Sequence, residues 1–144
     1  MINEDTIELL KECNAGIKMG VSSLDEVIDH VKNDDLKSKL KTCKEEHVKL
    51  GNETRKILNK YDFSGKEPNS IAKTMSWLKT NVQLAMHDSD KTIADLITDG
   101  CNMGVKSLNR YLNQYKSAGE EVKDITKRLI NLEEKLAVDI RKYL

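Results

Sequence analysis

The sequence predicts an all-α protein. Three observations carry that expectation: a single Pro in 144 residues, an aromatic content of 4%, and apolar residues recurring at steps of three and four along most of the chain. A sandwich or barrel would instead need frequent turn residues and alternating aromatic or β-branched side chains. The 24 Lys+Arg balance the 24 Asp+Glu, and both signs divide evenly on either side of Lys66. Neither half therefore carries a field that would steer nucleic acid or an anionic membrane. The length suits one domain, residues 1–144.

The first helix is expected from Glu4 to about Lys32. Leu10, Ile17, Val21, Leu24, Ile28 and Val31 form one face, with Asn14 filling the gap in the stripe. Asn33-Asp34-Asp35 ends this run and can cap the next. The second stripe is the most regular: Leu36, Leu40, Cys43, His47, Leu50, Thr54, Ile57 and Tyr61, with steps of four and three alternating throughout. Two long amphipathic helices joined by so short a turn fold back antiparallel, because only then do their apolar faces meet. Residues 4–61 thus predict an αα-hairpin, and a turn near Asp34 brings His47 opposite Val21 and Gly20.

Asp62-Phe63-Ser64-Gly65-Lys66-Glu67-Pro68-Asn69 is the principal break. A crossover helix is expected over 70–87, with Ile71, Met75, Leu78, Val82 and Ala85 on one face. Its rise of roughly 25 Å would carry the chain along a bundle, and Trp77 would cover the bundle or meet a second subunit. Asp88 or Ser89 can cap the following helix, which runs from Asp90 to about Lys116 through Ile93, Ile97, Cys101, Val105, Leu108, Leu112 and Tyr115. Ser117-Ala118-Gly119 breaks it. The last helix starts near Glu120 and continues through Val122, Ile125, Leu129, Leu132, Leu136 and Ile140, completing a second hairpin over 90–144.

The hairpins also repeat in letters. Cys13-Asn14-Ala15-Gly16-Ile17-Lys18 reads against Cys101-Asn102-Met103-Gly104-Val105-Lys106, and Glu45-Glu46 against Glu133-Glu134 in the same frame. The expected architecture is a four-helix bundle of two pseudo-repeated αα-hairpins with an extra crossover helix, the ferritin-like arrangement.

The run Gly65-Lys66-Glu67-Pro68-Asn69-Ser70-Ile71-Ala72, followed by Ser76-Trp77-Leu78-Lys79, resembles the middle signature of a bacterial ferritin-like four-helix-bundle family whose domain has no assigned function. The resemblance extends through Gly16-Ile17, the turn at Asp34-Asp35-Leu36-Lys37 and the last helix. It implies the fold and a bacterial, cytoplasmic setting, and it implies no activity.

A di-iron site in such a bundle needs a Glu from each of two helices and a Glu-x-x-His pair from each of the others. That pattern is incomplete. Lys44 precedes His47 by three, Leu136 follows Glu133 by three, and Glu45, Glu46, Glu133 and Glu134 fall at the edge of the stripes. Cys43 and His47 share a helix face and could clasp a soft or borderline metal with Cys13 or Cys101, although free Cys and a lone inward His usually pack as core. Three cysteines without a CxxC pair favour free thiols. Asn14, Asn102 and Gly20 are candidates for a polar pocket, since buried amides need partners. Gly16, Gly20, Gly100 and Gly104 either let helices approach closely or leave space for a ligand. His30 and His87 suit helix C-terminal ends.

No nucleophile turn, phosphate cradle or acid–base pair is recognisable. The acidic start lacks a secretory pattern, and no apolar run is long enough to span a bilayer. The expected function is a non-enzymatic ferritin-like bundle without cofactor, acting by protein association or as an accessory or stress-related factor, with homodimerisation as its partner expectation. The alternative is a degenerate metal- or small-ligand-binding bundle centred on Cys43 and His47.

Overall fold

Helix α1 spans Glu4–Ile28, α2 Asp34–Lys60, α3 Asp90–Gln114 and α4 Glu120–Ile140, followed by a 3-10 turn at Arg141–Tyr143. These elements come from a computed structural model, which describes residues 3–61 and 89–144. The crossover helix expected at 70–87, with Trp77 and His87, lies outside the described residues. Among the described residues the protein is all-α, and no helix is long and apolar enough to cross a membrane.

Side-chain caps fix two of the helix starts. Asn3 and Asn33 each accept a backbone hydrogen bond from the third residue on, Thr6 at 2.9 Å and Leu36 at 3.0 Å. Each cap contributes about 1 kcal/mol by satisfying an otherwise orphaned N–H. Ser89 occupies the corresponding position before α3 but makes no side-chain cap bond. The carboxylate of Asp90 instead accepts from the backbone N–H groups of Lys32 and Asn33, at 2.9 and 2.8 Å. Helix α1 stops at Ile28, earlier than the stripe suggested, and Val31 still buries its side chain from the turn beyond.

The Asp90 bonds place the start of α3 beside the α1–α2 turn. At the opposite end Asn3 Nδ2 donates to Ser117 O at 2.6 Å, and Gly119 N donates to Thr6 Oγ1 at 2.8 Å. Helices α1 and α3 are therefore antiparallel. Arg128 clasps Glu53 through two nitrogens at 2.9 and 2.6 Å, and Lys142 meets Asp35, so α2 and α4 are antiparallel as well. It follows that α2 and α3 run parallel, and that Tyr61 and Ser89 lie at opposite ends of the bundle.

The apolar faces meet in two clusters rather than one. Near the α1–α2 turn, Leu24, Val27, Leu36, Leu40, Cys43, Ile93, Ile97, Cys101, Leu136 and Ile140 pack together. Toward the other end Leu9, Leu10, Cys13, Ile17, Leu50, Leu108, Val122, Ile125 and Leu129 form the second. Full burial of each large aliphatic side chain contributes about 1.5–3 kcal/mol. On every helix the residue between the clusters breaks the apolar pattern: Gly20 between Ile17 and Leu24, His47 between Cys43 and Leu50, Gly104 between Cys101 and Leu108, Glu133 between Leu129 and Leu136.

Buried positions of α1 recur in α3 in register: Leu9 with Ile93, Leu10 with Ala94, Ile17 with Cys101, Leu24 with Leu108. Gly16 and Gly20 fall on Gly100 and Gly104 in that frame. It is one helical turn away from the frame in which Cys13 matches Cys101. A four-residue step advances around the helix by about 40° more than a full turn, enough to carry a side chain off the inward face.

Candidate functional site

The layer between the two clusters is built around His47, which is 1% exposed. Its place in the regular four-three spacing of the α2 stripe points it inward, and the imidazole then needs partners for both nitrogens. Nδ1 lies 2.8 Å from the Cys43 carbonyl oxygen, one turn back on the same helix. Nε2 lies 3.0 Å from Glu133 Oε1 on α4. Both partners are acceptors, so the geometry suits an imidazolium that donates on both sides. Burial opposes the charge on His47, but hydrogen bonds with Cys43 and Glu133 and the negative charge of Glu133 outweigh it and push the pKa up to about 10.

Space for the ring comes from α1. A Cβ at Gly20 would stand 2.8 Å from His47 Cδ2 and 3.0 Å from Nε2, so only glycine lets α1 pass over the imidazole. Gly104 lies over Glu133 more loosely, its would-be Cβ 3.5 Å from the carboxylate carbon, an ordinary van der Waals contact. Each half of the ion pair thus has a glycine above it.

The glycines do not bring α1 and α3 together. Among the described residues a Cβ at Gly100 would meet nothing within 4 Å, and a cavity of about 170 Å³ opens between the two helices. Gly16, Gly20, Gly100 and Gly104 line its sides, and His47, Glu133 and Leu129 lie beneath. Leu24, Leu96, Ile97 and Leu136 supply apolar wall toward one end, with Glu12 and Tyr111 at the other. Glu12 is hydrogen-bonded by Tyr111, and burial raises its pKa. Side chains of the described residues therefore leave the bundle centre open.

The four candidate metal-binding residues divide. Cys43 Sγ lies 3.5 Å from His47 Nδ1, and Cys101 joins the same neighbourhood through Glu133. Burial, then the charge of Glu133 and a hydrogen bond to it, raises the Cys101 thiol. Cys13 belongs to the other apolar cluster, where its Sγ is 3.1 Å from Thr126 Oγ1. That hydroxyl already donates to Val122 O at 2.8 Å, so Cys13 is the donor, and burial pushes its pKa up to about 11. Metal ligation at His47 would require a bare lone pair, and both nitrogens are engaged. Among the described residues no group of three or more His, Cys, Asp and Glu is arranged to hold a metal ion.

The polar-pocket candidates also separate. Gly20 lines the cavity, Asn14 is half-buried, and Asn102 is exposed. The pairing of Asn14 with Asn102 followed the letters, whereas the buried positions match Asn14 to Thr98. Asn14 Oδ1 and Thr98 Oγ1 are both buried without a hydrogen-bond partner among the described residues. Sequence reasoning left Glu133 at the stripe's edge and assigned it no role. Its signal was the interruption of the α4 apolar run between Leu129 and Leu136, in the place where His47 interrupts α2.

The chain matches no protein-family model, no curated protein and no solved structure.

Proposed function

We propose that this chain is a non-enzymatic helical bundle that binds a small, largely apolar ligand between α1 and α3, above the His47–Glu133 pair. The carrying observation is the cavity of about 170 Å³ flanked by four glycines. An apolar cavity of about 150 Å³ can hold benzene, so the space suits a compact molecule. Helix Gly residues cost about 1 kcal/mol each relative to Ala, and at Gly100 no neighbour among the described residues requires one. Space retained at that cost, beside a buried ion pair, is the pattern of a binding site more than of a packing seam.

The ferritin-like connection belongs to the same proposal. Antiparallel α1–α2 and α3–α4 hairpins, with Tyr61 and Ser89 at opposite ends, call for a link running the length of the bundle, which is how that arrangement joins its halves. Recurrence of the buried positions between α1 and α3 supports descent from one hairpin. The resemblance, with three free buried cysteines, supports a bacterial cytoplasmic setting. Metal is not the occupant we propose, because His47 is engaged at both nitrogens.

A calorimetric titration with benzene tests the reading. Wild-type protein is expected to bind saturably, and Gly100→Leu, which fills the cavity from a position with open space, to lose binding while remaining folded. Absence of saturable binding to the wild type would refute it. Association without a ligand is the second reading, favoured by exposed Val48, Met103 and Val138. Sedimentation of the purified chain tests it: a dimer supports association, a monomer counts against it.

A further inference from the structure

Resting on the cavity being the ligand site, we infer that its ligand is a compact apolar amine, bound as the ammonium with its charged end at Glu12 and its body along Ala15, Leu108 and Leu129.

The charges lining the cavity select the ligand. Its titratable lining groups are Glu12 on α1, Tyr111 and Cys101 on α3, His47 on α2 and Glu133 on α4. Among the described residues no Lys or Arg lines the cavity. His47 is the sole cationic candidate of that described lining, and its Nε2 is already held 3.0 Å from Glu133 Oε1, so that pair presents no net charge. Burial and Glu133 keep the thiol of Cys101 protonated, and the Tyr111 hydroxyl serves as donor to Glu12. Glu12 remains as the lining charge that, among the described residues, has no ion-pair partner inside the cavity; the neighbouring Lys11 offsets it only in part. An anion would meet this carboxylate with no Lys or Arg of the described lining to receive it, and a neutral hydrocarbon would leave the carboxylate half-desolvated for no return.

Glu12 can accept a further partner. A carboxylate has about four acceptor directions, and the Tyr111 hydrogen bond uses one. Lys11, its neighbour in sequence, ion-pairs with Glu8 at 3.0 Å. Burial raises the Glu12 pKa, and an ammonium group seated beside the carboxylate would relieve that penalty. One turn along from Glu12 and Tyr111 the lining becomes aliphatic at Ala15 and Leu108, with Leu129 beneath, which suits an apolar body. With room comparable to that for benzene, the ligand has on the order of ten heavy atoms or fewer.

The test compares benzylamine, benzyl alcohol and benzoate, which share a ring and differ in the charge at one end, against the full chain at pH 7 by calorimetry. Benzylamine is expected to bind about tenfold or more tightly than benzyl alcohol, as a charge-assisted hydrogen bond confers, and benzoate to bind weakest. Glu12→Gln, which keeps shape and removes charge, is expected to bring benzylamine to the level of benzyl alcohol, with thermal unfolding reporting that the variant folds. Equal binding of benzylamine and benzyl alcohol to the wild type overturns the inference while leaving the cavity as a ligand site. So does a preference that survives Glu12→Gln. If neither benzene nor any of the three binds, the binding reading itself fails.

Discussion

His47 and Glu133 face each other across the α2–α4 contact with Nε2 and Oε1 3.0 Å apart, each where its helix's apolar stripe is interrupted between the two core clusters. Buried pairs of this kind contribute little over a well-packed apolar substitute, yet removing one partner strands the other. Glu133→Leu should therefore destabilise the fold by about 3–5 kcal/mol, since His47 is enclosed. His47→Leu should cost less, because the Glu133 carboxylate borders the cavity, where water can enter. The double variant should lie well below the sum. Urea unfolding of the three variants measures this, and additive losses would contradict the coupling.

The pair also sets a pH dependence. An unfolded histidine titrates near 6.5, and in the fold His47 is raised to about 10. The folded state binds the proton more tightly, so this stabilisation is complete below about pH 6.5 and is lost as pH climbs toward 10. Unfolding free energy measured between those limits should decline in the wild type. The decline should be much shallower in Glu133→Gln.

Glycines in the same cavity should respond with opposite signs. Gly20→Ala puts a Cβ 2.8 Å from the His47 ring, where neither the helix backbone nor the doubly bonded imidazole can give way cheaply. A loss of about 1–3 kcal/mol is expected from overpacking. Gly100→Ala meets nothing within 4 Å and should gain about 0.5–1 kcal/mol from helix propensity. Chemical unfolding of the two variants side by side checks the contrast, and a shared sign would contradict the geometry.

Thiol chemistry gives a further check. Cys13 donates to Thr126 and has a pKa near 11, and Cys101 is raised by burial and by Glu133. At pH 8 both should resist alkylation in the native protein and react at the rate of unfolding. Mass spectrometry after timed iodoacetamide exposure reads this directly; rapid native labelling of Cys13 would count against the buried bond.

Much of the fold was legible because local spacing records it. The alternating steps from Leu36 to Ile57 reveal a helix with His47 inward, and the short turn at Asn33 dictates a hairpin. The opposition of Gly20 and His47 followed from the same turn. Contacts across helices left weaker traces. Glu133 meets His47 because α2 and α4 are antiparallel at a particular register, which no within-helix period contains. Matching letters misplaced Asn102, since a shift of one turn preserves periodicity almost perfectly while rotating a side chain off the inward face. Whether four glycines close a seam or hold a space depends on the distance between α1 and α3, set by end contacts such as Asp90 with Lys32 and Asn33 and Asn3 with Ser117.

Amide chemical-shift mapping during a benzene titration addresses the central claim most directly. Saturable shifts centred on Gly16, Gly20, Gly100 and Gly104, and abolished in Gly100→Leu, are the expected result. Shifts that never saturate, or that persist unchanged when Gly100 is replaced by Leu, would show that the space above His47 and Glu133 is not a binding site.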